Sequence, residues 1–390
     1  MRTPEDTRNF WLVAVLAAAI TAVGLGAAHH MELNGHVVTG MNNQVVWGLP
    51  HVFAIFMIVA ASGVLNVASI GSVFGQTVYK PRAPLSGLLC IALLMGGLMV
   101  LMLDLGRPDR VIVAATHYNF TSVFAWNVFL YSGMTGIVAV YLWTMFERRF
   151  NRFSKPAGLA ALVWRFVLTT GTGSIFAFLV ARQAYQSALL APLFIVLSFG
   201  WGLAVFLITQ STMYTWEGRE LDPAIQRRMA RLLGVFIAAS LYLVTVYHLT
   251  NLYYAKQLAF ERFLLADGGL YPLLFWLGYV LVGSLLPLLL LFHPRLANAR
   301  NTYAASVLVV AGAFAFLYVF IIGGQAFPLE IFPGHEVSSS FGDGAIATYV
   351  PSLPEFLLGV GGLGAALLLT VVGVRALDFM PQDDFTSAKS

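Results

Sequence analysis

The chain has 390 residues, of which 59% are hydrophobic and only 10% charged, against roughly 25% charged in an ordinary soluble domain. That excludes a water-soluble globule, and ten bilayer spans of about 20 residues each leave no room for a sizeable aqueous domain. One cysteine, Cys90, excludes an internal disulfide and any iron–sulfur cluster or cysteine-type zinc site held by this chain, and the formal charge of +4 points to cationic loops at one membrane face rather than to nucleic acid.

Apolar runs at 10–29, 45–70, 85–104, 123–146, 158–181, 189–210, 232–253, 270–292, 304–323 and 354–376 predict ten transmembrane helices in one integral membrane domain, 1–390. The first run follows Arg2 and Arg8. It is longer than a usual signal-peptide core and HHMELNG offers no clear cleavage site, so it reads as a retained helix. His29, His30 and His36 then form a loop cluster without the cysteine or spaced carboxylates a metal would need. The segment DPAIQRRMARLLG, before the seventh run, is basic and amphipathic and reads as an interfacial turn anchored by lipid phosphate, with a docking surface for a cytoplasmic partner as the alternative. The gap 324–353, rich in Gly, Pro and Ser, reads as an ordered surface loop. Counted on alternate sides, 16 Lys and Arg share the side of both termini and 5 (Arg107, Arg110, Arg182, Lys256 and Arg262) face the other, with Arg165 inside the fifth run. The positive-inside rule then places both termini in the cytoplasm. Trp11, Trp47, Trp126, Trp143, Trp164 and Trp216 fall near expected span ends, as an aromatic belt would.

Polar groups inside a bilayer are functional-site hypotheses by default, and here their depth is lopsided. His51 lies about 9 Å into the second run at 1.5 Å per residue. Asp104 ends the third, Asn127 is one turn into the fourth, His248 and Asn251 are near the outer end of the seventh, and Glu355 opens the tenth. All six occupy the outer third, whereas the inner half offers hydroxyls and amides such as Asn66 and Ser69. Each has a bland alternative. A histidine can bond a neighbouring carbonyl, Asp104 can close a turn with Arg107, Glu355 can cap a helix, and Asn127 can join two helices. Their convergence favours a quinone, whose carbonyl oxygens accept hydrogen bonds and whose reduction needs proton-exchanging groups. A haem needs axial ligands, usually two histidines on facing helices, and only His51 and His248 qualify. GTGSIF is no dinucleotide fingerprint, and nucleophile elbows and H-E-x-x-H are absent.

The run NNQVVWGLPHVFAIF, the exit LDLGRPDR with the following HYNFTSVFAWN, and YVPSLPEFLLGVGG resemble the NrfD/PsrC (polysulfide reductase membrane subunit) family, and within it the ten-helix branch that includes the hydrogenase-2 and Dsr-complex membrane subunits. The resemblance spans nearly the whole chain. It implies an all-α polytopic fold with two four-helix bundles plus flanking helices, in the bacterial inner membrane. It also implies menaquinone or ubiquinone as the cofactor and no haem or iron–sulfur cluster on this chain. The implied partners are an extracytoplasmic ferredoxin-like iron–sulfur subunit and a catalytic or cytochrome subunit. By position, Trp47 and Gly48 match the family's Trp-Gly, Asp104, Gly106 and Arg107 its Asp-x-Gly-Arg, Asn119 and Ser122 its polar pair, and Tyr349, Pro351 and Glu355 the tyrosine, proline and acid before the last helix. Val46 stands where the family has proline. Asn127 lies where the hydrogenase type has an acid, and Asn251 where that branch can have one.

The sequence therefore leads to a quinone pocket near the outer face, with His51 and Asp104 as proton partners, Arg107 orienting Asp104, and Trp47 in the wall. Asn119, Ser122, Asn127, His248, Asn251, Tyr349 and Glu355 join the candidate binding residues, and an iron–sulfur partner is expected on loops 30–44, 105–122 and 324–353. The rival reading is a secondary transporter, which expects broken helices and polar groups at mid-depth.

Overall fold

The computed structural model describes residues 4–219, 221–329, 344–377 and 379–380. Ten helices are long and apolar enough to cross a membrane: α1 (Pro4–Asn34), α2 (Leu49–Ser72), α3 (Ala83–Leu103), α4 (Val123–Phe146), α5 (Ser154–Ala177), α6 (Leu190–Trp216), α7 (Pro223–Tyr253), α8 (Leu270–Phe292), α9 (Ala299–Ala326) and α10 (Leu353–Ala376). Among the described residues there is no strand.

Burial ranks the helices. The apolar window of α2 is 94% buried, whereas that of α1 is 22% buried, because α2 is apolar all round and enclosed by protein while α1 keeps most of its surface toward lipid. Helix α2 packs on α3, α5 and α6, and α4 packs on α3 and α5, closing a four-helix bundle. Helices α6 to α9 close a second one, with α6 touching α7 and α9, and α9 touching α8. The two bundles meet where Gly63 of α2 and Gly202 of α6 bring their backbones together, since a Cβ on either would run into the opposite main chain. Helices α1 and α10 pair with each other, and α10 lies against α3.

Several helix ends differ from expectation. Helix α1 continues through HHMELN, so His29 and His30 stand on a helix and only His36 sits in the following 3₁₀ turn. Helix α2 starts at Leu49, after the extended Gly48, which puts His51 in its first turn rather than 9 Å down. Residues 223–231 are the start of α7 itself, capped by Asp222, whose carboxylate accepts the Ala224 N–H at 2.7 Å. Polar sequence there continues a helix beyond the apolar run because a capped first turn needs no burial. Helix α5 begins at Ser154, so Trp164 lies near its middle and donates its indole N–H to the Leu130 carbonyl of α4 at 2.9 Å. It joins two helices instead of marking an interface. Residues 330–343 of the expected surface loop, with Arg2 and Lys389, lie outside the described residues.

Buried charge is segregated by depth. Among the described residues the buried carboxylates are Asp104, Glu261 and Glu355, all toward the end opposite the termini. The buried arginines, Arg82 and Arg165, lie at the terminus-bearing end and in mid-helix. Arg165 donates to Asn66 Oδ1 and stands 5.0 Å from the Phe166 ring centre.

Candidate functional site

The end of the first bundle opposite the start of α1 gathers three expected residues. Asp104 is the C-cap of α3, and its buried carboxylate places Oδ2 2.8 Å from His51 Nδ1 in α2. Trp47, half-buried just before α2, stacks on the His51 ring with centres 6.0 Å apart and planes 26° apart. Phe124 of α4, Phe176 of α5 and Tyr185 surround the same indole at 6.2, 5.6 and 6.5 Å. Among the described residues the polar contact of His51 is the one to Asp104, and the buried Asp104 Oδ1 and Asn127 Oδ1 have no partner. Asn127 spends its N–H bonds on the Val123 carbonyl at 2.8 Å and, at 3.5 Å, on that of Gly171 in α5. The result is an imidazole backed by a carboxylate, an aromatic wall and two uncommitted acceptors.

Arg107 does not orient Asp104. Gly106, at φ +70°, reverses the chain in a conformation that favours glycine, and Arg107 emerges into solvent, where it grips Asp109 through two bonds of 3.0 and 2.9 Å. Those bonds hold the Asp109 carboxyl below the usual carboxylate range. Asp104 turns inward instead, to the histidine across the helix pair.

A second cluster fixes the entry of α2. The buried Glu355 accepts the Tyr349 hydroxyl at 2.7 Å on Oε1, and the Gly40 and Ser352 N–H groups at 2.8 and 2.7 Å on Oε2. With Ser352 it forms a capping box on α10. The Tyr349 oxygen in turn accepts the Leu49 N–H at 2.7 Å, so one buried chain of bonds ties α10 to the first residue of α2. Gly48 has no side chain because a Cβ there would strike Glu355 Oε1 and the Tyr349 hydroxyl. Burial, followed by the neighbouring Glu355 carboxylate, pushes the Tyr349 hydroxyl up from its ordinary value.

Sequence reading missed Gln325 and Arg182 here. Gln325, fully buried in α9, accepts the Val46 and Trp47 N–H groups at 3.0 Å each and donates to the Trp47 carbonyl at 2.9 Å. Arg182 donates to the Gln325 carbonyl at 3.0 Å and the Gln44 carbonyl at 2.7 Å. The tryptophan is thus held by the second bundle as well as the first.

His248 and Asn251 gather on a different acid. Glu261, fully buried in the short helix Leu258–Leu265, receives the Asn251 amide on Oε1 and His248 Nδ1 on Oε2, both at 2.7 Å. No contact joins this trio to His51 or Asp104 among the described residues. Asn119 and Ser122 are on the surface side of the α4 entry, where the Asn119 side-chain oxygen accepts the Thr121 N–H and hydroxyl at 3.0 and 2.8 Å and Ser122 is the N-cap.

Residues 37–329 match the family model described as Polysulphide reductase, NrfD. The chain is 31% identical over 387 residues to the Hdr-like menaquinol oxidoreductase integral membrane subunit of Archaeoglobus fulgidus, covering 97% of this chain and 95% of that one. It is 21% identical over 400 residues to a selenate reductase subunit of Mesobacillus selenatarsenatis, covering 91% of each. It is 25% identical over 309 residues to a polysulfide reductase chain of Wolinella succinogenes, covering 73% of this chain and 96% of that one.

Proposed function

This chain belongs to the NrfD polysulphide reductase family, and on that premise we propose that it is the quinone-reactive membrane subunit of a respiratory oxidoreductase complex. The observation that carries the proposal is the half-buried His51, backed by the buried Asp104 and stacked under Trp47 at one end of a bundle. The residues fit a menaquinone or ubiquinone ring. His51 Nε2 would accept a hydroxyl of the reduced ring and, once protonated, donate to a carbonyl of the oxidised one, and Trp47, Phe124 and Phe176 would face the flat apolar surface. When bound, such a ring supplies two-electron, two-proton redox chemistry.

The chain's own part is to position the ring and handle the protons. A carboxylate facing Nδ1 requires the proton on that nitrogen, leaving the Nε2 lone pair toward the ligand. His51 therefore accepts a proton at Nε2 from a ligand hydroxyl, and Asp104 stabilises the imidazolium that results. In the opposite direction the imidazolium returns it. Trp47, fixed by Gln325, keeps water from one face of the histidine.

Electrons exchange with an extracytoplasmic iron–sulfur subunit seated on the outer loops. Supporting this, Val37, Ile112, Phe120 and Val350 are 87, 73, 68 and 76% exposed there, and exposed apolar clusters mark interaction surfaces. The transporter reading gains nothing from the described helices, whose buried acids are displaced outward.

The test is His51→Ala and Asp104→Asn in the assembled complex, with quinone affinity read separately by quenching of tryptophan fluorescence. Quinol turnover should fall about ten- to ten-thousandfold for a lost proton partner. Wild-type turnover in both variants would remove the pair from the reaction.

A further inference from the structure

The far end of the second bundle, which bears the chain termini, holds a cleft of about 1200 Å³ between the C-terminal ends of α6 and α8 and the N-terminal ends of α7 and α9. Arg219, Arg227, Arg231 and Arg300 line it, and no carboxylate does among the described residues. Its deeper wall is apolar, with Ala230, Leu291 and Phe292, and Trp216 and Tyr303 stand among the lining residues. The N-terminus of α9, capped by the neutral Asn298, adds the positive end of its dipole, while that of α7 is already met by the Asp222 carboxylate.

Arg219 is held by Glu217 at 2.9 Å and lies over the Tyr214 ring, whereas the other three are little used by the protein. Arg231 and Arg300 are exposed and make no hydrogen bond or ion pair among the described residues, and Arg227 commits only its Nε, to the Pro223 carbonyl at 3.2 Å. Arg227, Arg231 and Arg300 are three like charges around one hollow, and they repel one another unless an anion sits between them. The volume exceeds the roughly 300–1,000 Å³ of an ordinary small-molecule pocket, and beside the exposed arginines its apolar wall joins the buried Ala230 and Leu291 to the half-exposed Phe292.

We propose that this cleft is a binding site for a phosphate-bearing amphiphile, with Arg227, Arg231, Arg300 and the end of α9 on the phosphodiester of an anionic phospholipid and the apolar wall on the first part of its acyl chains. Basic pockets between transmembrane helices recognise anionic headgroups in this way. A dicationic or larger rim also discriminates by charge, so a zwitterionic lipid of the same chain length binds less well. Free phosphate has the same polar chemistry but leaves the apolar wall wet.

The experiment uses the full-length chain purified in a mild detergent and reads bound lipid by native mass spectrometry and thermal stability by a melting curve. Dioleoylphosphatidylglycerol is added in one arm, dioleoylphosphatidylcholine in a second, and inorganic phosphate in a third. We expect the phosphatidylglycerol to be retained at least about tenfold better than phosphatidylcholine and to raise the melting temperature, with phosphate at the same concentration doing neither. The double variant Arg231→Gln/Arg300→Gln removes two groups that support no internal bond, so the fold persists. It should lose about 25-fold in phosphatidylglycerol affinity. The matched control Arg148→Gln/Arg152→Gln, at the same end but outside the cleft, should lose at most about twofold. Equal retention of the two lipids, or equal loss in the two double variants, would overturn the site. A shift produced in full by inorganic phosphate would overturn the lipid assignment, and retention only of an acidic protein from a reconstituted complex would reassign the cleft to a partner.

Discussion

Tyr349 carries two bonds at once, donating to Glu355 and accepting from the first amide of α2, and the geometry makes its proton a stability element. Because burial and the Glu355 carboxylate raise its pKa above the ordinary value of 10.0, the folded chain holds this proton more tightly than the unfolded one. The stabilisation is therefore complete below about pH 10 and is lost as pH rises from there toward the folded value. Tyr349→Phe should lower the melting temperature at neutral pH and flatten the alkaline loss relative to wild type in detergent melts from pH 8 to 11; parallel curves would refute it. Gly48→Ala should be worse, costing about 1–3 kcal/mol by overfilling the same contact and loosening Trp47, which its fluorescence anisotropy would report. Of these residues, Trp47, His51, Asp104 and Glu355 were legible, since polar or aromatic groups at one depth of apolar runs stand out. Gln325 was not, because an amide at the end of an apolar helix reads as an ordinary exit from the membrane. The Arg107 reading failed because sequence adjacency says nothing of the turn at Gly106.

Helix α7 shows what hydropathy can and cannot deliver. Its existence follows from a long apolar run, but its partner acid, Glu261, lies in a short connecting helix whose sequence AFERFLL resembles a surface segment. Only the fold turns that helix inward, where it buries Phe260, Phe263 and Leu264. Glu261→Gln replaces an acceptor by a donor facing Asn251 or His248. It should cost about 1–3 kcal/mol through an unsatisfied buried group while leaving quinone affinity within about twofold. Thermal melts and fluorescence titration separate the two quantities, and lost affinity at full stability would bring His248 and Asn251 back to the ligand. Helix ends were misplaced for a physical reason too: caps such as Asp222 and Ser352 let polar residues extend a helix past its apolar run.

For the whole molecule, the placement of Asp104, Glu261 and Glu355 toward one end, with Arg82 toward the other and Arg165 in mid-helix, bears on energy coupling. A fixed guanidinium in mid-bundle opposes a protonated water chain, so quinone protons should stay on the side of the pocket. In sealed liposomes the complete complex should generate no membrane potential attributable to this subunit, as read by a voltage-sensitive dye; a potential that tracks turnover and that no partner explains would contradict it. Cysteine labelling should find 147–157 and 211–222 accessible from the cytoplasm, as the split of cationic residues requires. The Glu355 clamp has one more consequence, for biogenesis. Helix α2 is made second and α10 last, yet the bonds that fix the start of α2 come from the acid and tyrosine at the start of α10. Helix α1, the first synthesised, likewise waits for α10 as its principal neighbour. A nascent or truncated chain thus holds His51 and Trp47 in place before the entry of α2 is fixed, and only the arrival of α10 locks that entry, so an unfinished translation product lacks the alignment of the completed chain.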